Sequence, residues 1–98
     1  QPMPAYVFVK GSVKTPDLFA EYSEKASPIT ADFGGTLLCR GKFVKSLAED
    51  QDHHFAAVLQ FPDNDAMLGW YDSPQYQELI DLRKNAADVT ITAYEGMD

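Results

Sequence analysis

The sequence predicts an α+β domain of order β-α-β-β-α-β, with a four-stranded antiparallel sheet and helices on one face. Three observations predict it. Four short runs are rich in β-branched and aromatic residues. Two longer stretches between them carry apolar residues three and four apart. Each of those stretches opens on a hydroxyl residue followed by proline, Thr15-Pro16 and Ser73-Pro74, which is how many helices begin.

The elements follow in order. Residues 5–13 (AYVFVKGSV) read as a strand. Leu18, Phe19, Tyr22, Ala26, Ile29 and Phe33 then mark one face of a helix. Pro28 lies inside that pattern and predicts a kink or short break. Gly34-Gly35 ends the helix, because glycine accepts the left-handed cap conformation. A second strand runs from Thr36 to Arg40, with a bend or bulge expected at Gly41-Lys42 and extended chain on to Leu47. Residues 48–53 form an acidic hairpin loop, and Phe55 to Phe61 is a third strand. A turn at Pro62–Asp65 leads into a short helix, 65–71. Ser73-Pro74 starts a helix running to about Asn85, whose inner face is Tyr76, Leu79, Ile80 and Arg83. Val89 to Tyr94 is the last strand. This order is the ferredoxin-like arrangement. It fills 5–96 as a single domain and leaves 1–4 as an N-terminal tail.

Ninety-eight residues are enough for one thin core and no second domain. Fifteen acidic residues against eight basic ones give a net charge of −7. Such a chain repels phosphate backbones and anionic lipid, so neither nucleic acid nor a membrane is expected as a partner. One cysteine, Cys39, excludes an internal disulfide and a multi-cysteine zinc site, and it reads as an inert buried thiol. No signal peptide stands in the sequence, which makes the cytoplasm the default compartment, although a leader removed before Gln1 gives the same start.

The strands are apolar on both parities. Tyr6 and Phe8 alternate with Val7 and Val9, and Phe55, Leu59 and Phe61 alternate with Ala56 and Val58. A solvated sheet face reads polar at every second position. The face without helices is therefore expected to pack on a second copy of the chain about a two-fold axis.

Several side chains are candidates for chemistry. Arg40, on an apolar strand, offers a planar fork for a carboxylate or enolate, or for an acidic neighbour. Arg83 lies on the inner face of the second long helix and needs a partner there, either a ligand anion or Asp72 or Glu78. Trp70, Tyr71 and Tyr76 supply apolar area with polar tips, suited to a pocket wall for a flat ligand or to plain core. Ser73 reads as a helix cap, not a nucleophile. His53 and His54 alternate in direction, and the nearby Glu49, Asp50 and Asp52 have no metal-ligand spacing, so the segment reads as a solvated loop and no metal is predicted. His54 begins a strand and titrates near neutrality, which makes it the candidate general base.

The segment Phe33-Gly34-Gly35-Thr36-Leu37-Leu38-Cys39-Arg40-Gly41 resembles the GG-x-x-L-x-RG hairpin of the domain of unknown function 1330 family. Leu59-Gln60-Phe61-Pro62-Asp63, the run Trp70-Tyr71-Asp72-Ser73-Pro74-Gln75-Tyr76-Gln77 and the final Tyr94-Glu95-Gly96 extend the likeness over nearly the whole chain. The resemblance implies a dimeric α/β barrel, a superfamily that includes small cofactor-free monooxygenases and isomerases, with ligand pockets between sheet and helices. Two positions depart from the pattern. Gln60 stands where the family usually carries glutamate, and it is a candidate ligand contact that cannot titrate. Gly41-Lys42 replaces a double glycine. The function implied is a cofactor-free enzyme acting on a small aromatic or carbonyl compound. Arg40 or Arg83 would then stabilise an oxyanion, and His54 or a tyrosine would move a proton. The alternative is a non-catalytic dimer module that binds a small molecule or serves structure alone.

Overall fold

The computed structural model describes residues 3–97. Ala5–Val13 forms β1, Pro16–Asp32 α1, Thr36–Lys42 β2 and Phe55–Phe61 β3. Asn64–Asp72 forms α2, Pro74–Gln77 α3, Ile80–Ala86 α4 and Ala87–Glu95 β4. The strands lie in the order β2-β3-β1-β4, every neighbouring pair antiparallel, which is the ferredoxin-like topology. Of the predicted tail, Gln1 and Pro2 lie outside the described residues, while the Pro4 carbonyl accepts the Gly96 N–H at 2.7 Å.

Alternation along β1 separates the two faces. Ala5 and Val7 are buried under the helices, whereas Phe8 and Lys10 are exposed. The core joins Ala5, Val7 and Phe61 to Met67, Trp70 and Tyr76 of α2 and α3. Ser73 binds those two helices together. Its hydroxyl donates to the Trp70 carbonyl at 2.8 Å and accepts the Tyr76 N–H at 3.2 Å, as a cap should.

Four local expectations need correction. Pro28 does not interrupt α1, which runs as one helix. Pro28 and Glu24, whose carbonyl loses its usual partner, are both exposed. The single helix expected from Ser73 to Asn85 is divided at Glu78-Leu79. There the Leu79 N–H bonds three residues back to Tyr76 at 2.9 Å, and that tight turn sets both buried side chains on one side. The extended segment after Lys42 is irregular instead. The His54 N–H turns to the Gly11 carbonyl of β1 at 2.8 Å, and the pairing of β2 with β3 ends at Lys42 and Phe55.

The fourth correction concerns β2 itself. Its irregularity falls between Leu37 and Cys39, not at Gly41-Lys42. Leu37 pairs with Leu59, and after the extra residue Leu38, Arg40 pairs with Ala57 and Lys42 with Phe55. Paired residues share a face, so Leu37, Arg40 and Lys42 all turn toward the helices. Cys39, opposite Val58 on an edge strand, is exposed and not buried.

Candidate functional site

A cavity of 740 Å³ opens between α1 and the sheet. Its apolar wall includes Phe19, Leu37, Phe55, Leu59, Val89 and Ile91. The α1 side is lined by small and hydroxyl residues, Ser23, Ala26, Ser27 and Thr30, beside Tyr22. A core helix ordinarily presents large aliphatic groups at such positions, and their absence here leaves the space unfilled.

The polar group of the cavity is built around Arg83. One guanidinium nitrogen, Nη1, donates to the Tyr76 hydroxyl at 3.0 Å and to the Tyr71 hydroxyl at 3.3 Å. The Tyr76 oxygen lies 2.8 Å from that of Tyr22. Tyr76 is fully buried, while Tyr22 and Arg83 line the cavity. One hydrogen-bond direction uses every proton: Arg83 donates to Tyr76, Tyr76 donates to Tyr22, and the Tyr22 O–H is left for the cavity. The two ion pairs among the described residues are Lys14–Asp88 and Lys25–Glu21, so Arg83 pairs with tyrosines and not with Asp72 or Glu78.

Burial, followed by the neighbouring Tyr76, drives the Tyr22 pKa far above the ordinary phenol value. The hydroxyl is thus a donor at neutral pH, not a base. For Arg83, burial opposes the charge, but the hydrogen bonds to Tyr71 and Tyr76 outweigh it and the net shift is upward. Below about pH 10 folded and unfolded chains both keep the Tyr22 proton, so the group adds no pH dependence. Above that value the unfolded chain ionises first, and stability falls as pH rises. Tyr22→Phe is expected to make this alkaline loss shallower, read as urea midpoints from pH 8 to 11. An unchanged profile would remove the buried phenol from the account.

The residues singled out from sequence divide by location. Arg40, Trp70 and Arg83 line the cavity. Tyr71 and Tyr76 stand behind it and hold Arg83. Gln60, opposite Tyr6 and Thr36, falls on the open face by strand alternation. His54 is exposed and outside the cavity wall, one residue before Phe55, which lines it. No three His, Cys, Asp or Glu side chains converge as a metal set among the described residues. Tyr22 stood out only as part of a helix face, and its link to Arg83 is formed across 54 residues in Tyr76 alone. The small-residue run at 23, 26 and 27 was the legible sign of a gap.

Residues 4–97 match the family described as a domain of unknown function, DUF1330. The chain belongs to that family. No curated protein matches the DUF1330 chain significantly. Among solved structures it is similar to the RPA0582 protein of unknown function from Rhodopseudomonas palustris, at 18% identity and a TM-score of 0.81, covering 100% of this chain and 85% of the other. It is similar to SnoaB, a cofactor-independent oxygenase from Streptomyces nogalater, at 11% identity and a TM-score of 0.70, covering 98% and 95%. A dimeric ferredoxin-like protein of unknown function from Thermobifida fusca matches at 15% identity and a TM-score of 0.63, covering 98% and 93%. At these identities the likeness describes the fold.

Proposed function

We propose that this DUF1330 domain forms a two-fold dimer and that its cavity takes a small aromatic or carbonyl compound, which it converts without metal or organic cofactor. The observation that carries the reading is the chain Arg83–Tyr76–Tyr22, which delivers a cation-polarised hydroxyl to the wall of an apolar cavity. A carbonyl oxygen placed there accepts from Tyr22, and the donor chain strengthens as negative charge develops on it. That is the electrophilic half of an enolisation. The fold shared with a cofactor-independent oxygenase supports the enzyme reading.

The binding-module reading also has an observation in its favour. The residues at the wall include no histidine, aspartate or glutamate to serve as a general base. Native mass spectrometry beside the denatured mass tests both readings. A dimer with extra non-covalent mass yields the ligand. Conversion of that ligand by protein treated with chelator, lost in Tyr76→Phe, supports the enzyme; its return unchanged supports the module. A clean monomer sinks the dimer.

The dimer has its own test. Phe8 and Tyr94 are 40% and 53% exposed on the open face, with ring centroids 5.1 Å apart. The dimeric Thermobifida fusca protein of the same fold supports covering that face with a second copy. Phe8→Lys places like charges across a two-fold axis and is expected to give a folded monomer by light scattering. A persistent dimer would put the interface elsewhere.

A further inference from the structure

The charged residues that line the cavity are Arg40, Lys42 and Arg83, and no aspartate or glutamate is among them. In a chain of fifteen acids and eight bases, the one large apolar cavity described reverses the sign of the molecule. None of the three cations takes part in the ion pairs of the described residues. The deficit extends to hydrogen bonds: Arg83 Nε and Trp70 Nε1 are buried donors on cavity-lining residues and have no acceptor. Arg40 and Lys42 are exposed and keep their water, so the cost of an unpaired charge falls on the half-buried Arg83. An acceptor-only group on a ligand offsets that cost, and its apolar body fills the rest of the space.

We infer that the cavity selects organic anions, and that its ligand is an aromatic or alicyclic carboxylic acid bound as the carboxylate. The inference rests on the cavity being the ligand site proposed above and adds the charge of what enters it. The aromatic body lies along Phe19, Phe55 and Val89, and the carboxylate turns to Arg83. Arg40 and Lys42 hold a positive potential that draws the anion in past a surface of net negative charge. A neutral molecule of the same shape gains only the apolar contacts.

The test is calorimetric titration of the intact protein with 2-naphthoate and with 2-naphthamide, two ligands of one shape and different charge. The carboxylate is expected to bind at least tenfold more tightly. That preference is expected to narrow in the double variant Arg40→Gln/Lys42→Gln and in high salt. Equal affinity for the two ligands overturns the inference and leaves the cavity standing as a neutral pocket. A carboxylate preference untouched by the double variant, by salt and by Arg83→Met also overturns it, because the anion then sits elsewhere. Binding of neither ligand overturns the cavity reading and the inference together.

Discussion

Arg83→Met is expected to leave the domain folded and to weaken ligand binding by roughly 30- to 5,000-fold, the usual cost of truncating a desolvated charged contact. Methionine keeps most of the apolar stem and removes the fork. Two hydrogen bonds disappear, at 3.0 Å to Tyr76 and 3.3 Å to Tyr71. Each is worth about 1 kcal/mol, and relief of a partly buried charge offsets some of that loss. Tyr76 keeps a partner in Tyr22, so no buried hydroxyl is orphaned. The measurement is paired: urea midpoint and slope for stability, calorimetry with 2-naphthoate or the co-purifying molecule for affinity. Arg83→Lys restores charge without the planar fork and is expected to fall between the two. A lower midpoint with unchanged affinity would assign Arg83 to structure and sink its role as anchor.

The second large effect lies in the core. Phe61→Ala is expected to cost about 3–5 kcal/mol, a large share of the 5–15 kcal/mol typical of a domain. Phe61 is fully buried, and its ring centroid lies 5.0 Å from that of Trp70. For a chain of this size the melting temperature falls by roughly 4–8 °C per kcal/mol, so a drop of about 12–40 °C should appear by calorimetry. The same ring also explains Gly35. A Cβ there would stand 2.6 Å from Phe61 Cε2 and 2.6 Å from Thr30 Cγ2, so Gly35→Ala is destabilising by overlap. Shrinking Phe61 relieves half of that clash. The double variant Gly35→Ala/Phe61→Ala is therefore expected to be more stable than the two single losses predict by addition. Strict additivity would show that the ring and the helix end are not in contact.

The element order was legible because strand composition, two Ser/Thr-Pro starts and a Gly-Gly stop all agree locally. Gly34 has the positive φ of +80° that the stop requires. The apolar second face was legible from Tyr6 and Phe8 in the same way. What the linear pattern did not carry were events without a residue signature. The tight turn at Leu79 contains no glycine or proline, and it arises from packing Tyr76 and Leu79 together. Pro28 is a strong breaker by type, yet α1 continues through it where the chain is exposed. In the site, Trp70, Arg40 and Arg83 could be picked out by type. Tyr22 could not, because its role depends on a partner in a distant helix. For Gln60, chosen by family position, strand parity gives the open face; His54, chosen by residue type, is exposed in the bend just before β3 and outside the cavity wall.

The extra residue in β2 gives one strand two phases. Before it the odd-numbered Leu37 faces the helices; after it the even-numbered Arg40 and Lys42 do. Plain alternation over the same residues would instead turn Cys39 and Gly41 inward. Removing Leu38 would leave Leu37, Arg40 and Lys42 opposite Leu59, Ala57 and Phe55, because the shorter strand pairs in the same register without the bulge. A relative one residue shorter at this point would therefore present the same two cations to the cavity from a regular strand.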